Sequence, residues 1–497
     1  MPNTRSLEAN SGATFLRRLA LRLDPHSAPR LHTFAWNAFL GARKSGGYVP
    51  ISPPPPPITR VLSLTTMQSL ALVYFQKVDP TYGFIDRRDI ERYIEHRWAG
   101  ANADAAAEPM RDAVLCGIAA LGCLFSHVQP TKAELDLAES ARLILERAIS
   151  EIPTTTSITA WLLRVVYLRI SDTHHTAWMA SCMLMHMVEA AGLHREPSSS
   201  SSCSDSILLP SPPQGAVDQE LRRRLVAVSQ HLNMWTSFDM GRARVLLSNA
   251  TVATPSRRPG DHTAELMELL PYSAELDPQK SPSGPELEAA LLEVTARAHS
   301  TPPSVLAQCN LALCLCRRLQ SMGGASFAAG GGGGSSRVLD PVLALCSRGV
   351  RAARDILDAR APWHHLANVP FQIVCLLLAI DSDSSTPCLK DAVSCLRDVA
   401  RVYDTDAIQE ALRMASSLIA LHIRWKEKCT AALRDVLVTL PDIPSGGGGG
   451  GGGGNGPTQA LGIWSDNAQW LNGLSEDLST LPCFDIDEFM VPAFFGD

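Results

Sequence analysis

The stretch "HTAWMASCMLMHMVEAAGLHREP", residues 175–197, sets three histidines, one cysteine and four methionines into 23 positions. It reads either as a soft-metal site or as the inside of a helical protein. On a helix, with 1.5 Å of rise per residue, His175 and His186 stand roughly 16 Å apart, too far to share an ion. Gly192 lies between His186 and His194 and suits the left-handed residue that ends a helix. Trp178, Cys182, Met185, Val188 and Ala191 recur at steps of four or three, a single helical stripe, with methionines filling the remaining surface. The expectation is a core helix over residues 176–191, anchored by a buried Trp178, its thioether-rich face against the helix at 218–235.

The same period extends outward. "PTKAELDLAESARLILERAISEI" (130–152) opens with Thr131 and Glu134, a capping-box pair, and carries a stripe of Leu137, Ala141, Ile144, Ala148 and Ile152. "DQELRRRLVAVSQHLNMW" (218–235) repeats Leu221, Leu225, Val228, Leu232 and Trp235. "CLKDAVSCLRDVARVY" (388–403) and "DAIQEALRMASSLIALHIRW" (406–425) read alike. Sustained two-residue alternation is absent, so the fold class is all-α, a multi-helical antiparallel domain. The apolar run "VPFQIVCLLLAI" (369–380) is too short to span a bilayer.

Low-complexity stretches divide the chain. Pro53–Pro57 form a stiff spacer, a Ser/Pro-rich loop runs from Ser198 to Pro213, and glycine runs fill 330–334 and 446–454. The organisation read from them is a basic segment with a Pro-rich linker at 1–60, a regulatory body at 61–440, a Gly-rich linker at 441–460 and a tail at 461–497. The final glycine run reaches on the order of 20 Å as a flexible coil. Net charge is −6, but it is uneven: residues 1–44 hold seven Arg/Lys against two acids, and no cation follows Arg434. The 13 cysteines are scattered with no C-x-x-C pair, which suggests reduced thiols and no zinc cluster within the chain.

Catalytic signatures are missing. There is no G-x-S-x-G elbow, no phosphate loop and no G-x-G-x-x-G after a strand. His174 and His175 point about 100° apart on a helix. Arg222, Arg223 and Arg224 fan over about 200°, which prevents one phosphate-binding patch. Glu220, four residues before Arg224, gives that arginine a structural ion-pair role instead. By contrast, "GIWSDNAQWLNGLSEDLSTLPCFDIDEFMVPAFFGD" (462–497) interleaves aromatics with seven carboxylates and no base. Repelling carboxylates keep such a segment solvated and leave its aromatics for a partner's groove. Trp464, Trp470, Phe484, Asp485, Asp487, Glu488 and Phe489 are the contact candidates.

Three segments in this order resemble the middle homology region, the regulatory domain of fungal-specific transcription factors that usually follows a zinc binuclear cluster. They are "YFQKVDPTYGFIDRRDIERY" (74–93), "TAWMASCMLMHMVEAAGLHREP" (176–197) and "ELRRRLVAVSQHLNMWTSFDMGRARVL" (220–246). The likeness covers about residues 61–260, with helices continuing to about 440. It implies a nuclear transcriptional regulator, an activator or co-regulator, of a metabolic pathway or biosynthetic gene cluster. It implies no enzyme activity and no membrane association. Its partners would be the coactivator machinery and DNA, reached directly or through a DNA-binding partner, and a dimer is compatible with it. Trp178, Gly192, Leu193, His194, Arg195, Arg222, Arg223, Arg224, Gly241 and Arg242 would be architectural residues.

This chain departs from the family where Leu225, Val226 and Ala227 replace tryptophans and Ala243 replaces a proline. Its first cysteine is Cys116, so the six-cysteine cluster has no counterpart, and DNA-binding residues cannot be assigned. No cofactor is expected unless such a zinc cluster is encoded upstream of Met1; otherwise the chain is a recruited co-regulator. The alternative is a helical scaffold or small-molecule-binding adapter without a promoter role.

Overall fold

A helix needs partners for its terminal amides and one apolar face to bury, and the computed structural model shows where each is found. It describes residues 12–24, 38, 56–99, 108–196, 216–277, 280–322 and 337–438. The longer helices are α1 (Gly12–Leu23), α2 (Leu64–Lys77), α3 (Arg87–Ala99), α4 (Pro109–Leu124), α5 (Lys132–Arg147), α6 (Thr155–Ser171) and α7 (His174–Ala190). They continue as α8 (Ala216–Met240), α9 (Gly284–Ala296), α10 (Pro302–Ser321), α11 (Leu339–Asp358), α12 (Asn368–Ile380), α13 (Thr386–Val402) and α14 (Asp406–Val438). Among the described residues the extended structure amounts to one isolated bridge, Arg258 with Asp261. The chain is all-α, as its periodicity predicts. The acidic tail and the glycine linkers lie outside the described residues.

Helices α2 to α8 pack as one group around α4, α6 and α7, and α9 to α14 as a second around α10, α11 and α12. One hydrophobic core runs through both. Helix α1, inside the basic N-terminal segment, buries Leu16, Leu19 and Ala20 and packs on α12 and α14. The first of the described helices thus closes against the last of them.

Thr131 caps α5 by accepting the Glu134 amide at 3.1 Å, half of the expected box. The Glu134 carboxylate is buried and accepts from Tyr167 Oη at 3.1 Å instead, drawing α5 onto α6. Helix α5 stops at Arg147, which leaves Ile152, expected on its stripe, exposed. Reciprocal boxes are present at Thr154/Ser157 and Ser283/Glu286.

The opening stretch is helical, but its buried face is not centred where the spacing places it. Helix α7 turns Ala177, Ser181, Leu184 and Val188 inward, together with His174, Met185 and Met187. Trp178 and Cys182 border that face, while Met179 and Met183 are exposed. The reason is the contact with α8, built from small and polar groups. Ser181 Oγ lies 3.0 Å from Thr236 Oγ1 and 3.0 Å from Asn233 Nδ2. Helices this close leave no room between them for an indole.

Candidate functional site

Helices α7 and α8 both end in a Schellman motif, which explains two of the glycines singled out by sequence. Gly192 (φ 64°) donates to Glu189 O and Leu193 donates to Val188 O, at 2.9 and 3.1 Å. Gly241 (φ 64°) donates to Phe238 O and Arg242 to Ser237 O, at 2.9 and 2.8 Å. Left-handed φ at these positions favours glycine. Each terminus is then gripped by the other helix. Trp178, at the start of α7, donates its Nε1 to Ala243 O at 3.3 Å, and the Arg242 guanidinium sits 5.2 Å from the indole centroid. At the opposite end Arg222 donates Nε to Leu193 O at 2.9 Å and Nη2 to Gly192 O.

The arginine triplet does fan: Arg222 and Arg223 hold the residues that follow α7, while Arg224 turns inward. Arg223 pairs with Glu196 at 2.6 Å. Arg224 is 1% exposed, so its charge must be compensated. Its Nε pairs with Glu220 at 2.9 Å, Nη1 donates to Gly83 O at 2.9 Å and also meets Asp261, and Nη2 donates to Ser256 O at 2.8 Å. A Cβ on Gly83 would stand 3.0 Å from Asp261 Oδ2 and 3.1 Å from Arg224 Nη1, so any side chain there requires that ion pair to shift by a few tenths of an ångström. The three resembling segments therefore meet at three consecutive arginines. His194 is buried, with its backbone carbonyl accepting from Thr251 and Val252 at 3.0 and 3.2 Å, whereas Arg195 is exposed. His175 and His186 are also exposed, the latter 3.8 Å from Glu189.

Sequence reasoning missed a second cluster, buried at the centre. Arg169 of α6 lies 3.8 Å from Asp239 of α8 and 3.5 Å from His365 Nε2. His231, Trp235, His364 and Trp363 complete an aromatic chain, with the rings of His364 and His365 4.3 Å apart and that of Trp235 5.8 Å from His365. Burial, and secondarily the Arg169 charge, holds His174, His231, His364 and His365 well below the usual imidazole range. Burial raises Asp239 to about 6, against the pull of Arg169, Arg317 and an Asn310 hydrogen bond. Asp79 rises to about 7, again from burial first and the Asp261 charge second, with Arg224, Arg258 and Arg87 opposing. The available signals were the charges inside "WLLRVVYLRIS" (161–171) and the His364–His365 pair in an apolar run.

These groups hold a charge balance and no reacting centre. The space they enclose, lined by Thr81, Tyr82, His231, Trp363, His364 and His365 among others, is about 10 Å³, room for about one water. Groups of three His, Cys, Asp or Glu able to hold a metal ion are absent among the described residues. Burial pushes the thiols of Cys375 and Cys395 up to about 12, which keeps both protonated near neutral pH. Among the described residues no helix is long and apolar enough to cross a membrane.

The comparisons agree with this architecture. Residues 71–326 match the fungal specific transcription factor domain, which spans all three segments and the triplet. The chain is 52% identical to Protein RDR1 of Gibberella zeae over 491 residues, covering 99% of this chain and 85% of that protein. It is 36% identical to the transcription factor kojR of Aspergillus oryzae over 434 residues, 87% of this chain and 74% of that one. Protein RDR1 of Saccharomyces cerevisiae is 29% identical over 430 residues, 84% of this chain and 73% of that protein. With that domain matched over more than half of its length and these relatives covered over most of theirs, the chain belongs to the fungal-specific transcription factor family and is a transcriptional regulator.

Proposed function

We propose that the protein works in the nucleus as a regulator whose helical body positions an acidic aromatic contact segment, residues 461–497. The observation that carries this reading is the composition of that segment: Trp464, Trp470, Phe484 and Phe489 set among Asp485, Asp487, Glu488 and four further carboxylates of 462–497, with no cation. Such a sequence cannot bury its aromatics alone and suits a partner's apolar groove lined with positive charge. Its partner would be the coactivator machinery. Contact with DNA, direct or through a DNA-binding partner, belongs to the same reading. So does control of a metabolic or biosynthetic gene set, as the family resemblance implies. Motif residues in the helical body act as architecture in this scheme. The enclosed central space, at about 10 Å³, is too small for a drug-sized effector.

A reporter assay tests the proposal. Residues 461–497 fused to an unrelated DNA-binding domain should activate transcription. Alanine at Trp464, Trp470, Phe484 and Phe489 together should bring the signal to background. Unchanged activation by that variant would refute the contact role of the aromatics.

A further inference from the structure

Helix α14 continues well past the core. Its last buried side chain is Leu421, and His422 and Lys426 bind Asp381 at 3.0 and 2.6 Å. Residues 426–438 are all exposed, and the twelve after Lys426 extend about 18 Å at helical rise. This end is amphipathic: Cys429, Ala432, Leu433 and Leu437 share one side, with Leu433 and Leu437 66% and 65% exposed. An apolar side this open on a helix calls for a covering partner.

Charge and tether length select the occupant. Residues 424–438 hold four cations (Arg424, Lys426, Lys428, Arg434) against two carboxylates, whereas 462–497 hold seven carboxylates and no cation. A second copy would bring the same positive end and be repelled; the tail brings the opposite charge and ample apolar surface. Residues 439–460 separate the two, and a glycine-rich tether of that length reaches on the order of 25 Å, more than the projecting helix is long. Tethering also gives the tail a local concentration on the order of millimolar.

We propose that the projecting end of α14 is the docking surface for the chain's own acidic aromatic segment, residues 461–497. Tail aromatics lie along the Cys429–Leu433–Leu437 side, and tail carboxylates meet Lys428 and Arg434 at its borders. The contact does not depend on whether the segment activates transcription. It does mean that aromatics seated on α14 are unavailable to another protein at the same moment.

Cys429 supplies the probe, since it lies on the covered side and tryptic cleavage after Lys428 and Arg434 isolates it. Alkylation of Cys429 in the full chain, followed by peptide mass spectrometry, is compared with the full-chain variant carrying alanine at Trp464, Trp470, Phe484 and Phe489. Native Cys429 should react about tenfold more slowly than in the variant, the protection that 1.4 kcal/mol of contact provides, and dilution should leave that protection unchanged. Equal rates would overturn the proposal. So would protection that disappears on dilution, which assigns the surface to a second copy. Because the readout is chemical, a tail inactive in the reporter assay leaves this test intact.

Discussion

Trp178 shows what a single residue's position decides. Spacing assigns it to the core; the structure puts it at the rim, holding Ala243 and Arg242. A buried tryptophan truncated to alanine costs about 3–5 kcal/mol. For this half-buried one, a hydrogen bond near 1 kcal/mol, a cation–π contact of about 0.5–1 and part of the ring's burial add to about 2 kcal/mol. Urea denaturation of Trp178→Ala should give that smaller loss; a cost above about 4 kcal/mol would restore the anchor reading. The misreading has a physical cause. Helix α7 is apolar on nearly all sides, with Met179 and Met183 exposed, so periodicity could not choose between two stripes offset by one residue. Arg224 was easier to read, because Glu220 lies four residues before it. Its links to Gly83, Ser256 and Asp261 were not, since nothing local announces a partner 141 residues away.

At the scale of helices, left-handed ends among the described residues are made with glycine at Gly192 and Gly241 and without it at Arg360 and Asp381. Helix α11 also ends in a Schellman motif, with Arg360 donating to Leu357 O and Ala361 to Ile356 O, at 3.0 and 3.1 Å. Here the left-handed residue is exposed Arg360, at φ 52°. A side chain in that conformation costs about 1–2 kcal/mol, part of which glycine returns through its freer unfolded chain. Arg360→Gly should therefore raise stability by about 0.5–1 kcal/mol, while Gly192→Ala should lower it by about 1 kcal/mol. Open space surrounds a Cβ at Gly192, so the second effect is conformational alone. Thermal unfolding of the two variants checks both signs, and a stabilised Gly192→Ala would contradict the motif. Gly192 was legible as a helix end because glycine announces it. The end at Arg360 carried no such mark; the central cluster showed its charges and its histidine pair, but nothing local announced that α6 and α8 meet residues 364–365.

For the molecule as a whole, the buried titrating groups fix how stability follows pH. The folded values of His174, His231, His364 and His365 lie below the usual 6.5, so the unfolded chain gains protons first as pH falls through 6.5. Each such histidine removes up to about 1.4 kcal/mol per pH unit below that point. Asp79 and Asp239 act oppositely: raised to about 7 and about 6, they bind protons in the folded state before the unfolded one does, down to 3.8. Five histidines, counting His299, which burial lowers to about 4, outweigh two aspartates, so the urea midpoint should fall between pH 7 and pH 5. The double variant His231→Gln, His365→Gln should flatten that fall. A midpoint that rises on acidification would show that the aspartates dominate.

The closure of α1 on α12 and α14, together with the Arg222 and Arg223 clamps on the end of α7, has a topological result. Among the described residues, the part of the chain up to Glu196 is held to the part from Ala216 onward at both extremities and along α6, α7 and α8. Peptide continuity between Ser198 and Pro213 is then dispensable for holding the two halves together. A protease site inserted there should yield, after cleavage, two fragments that elute as one particle on size exclusion and come apart only in denaturant. Fragments that separate in native buffer would mean that the backbone, and not the packing, joins the halves. The protein is in this sense already a heterodimer written as one chain.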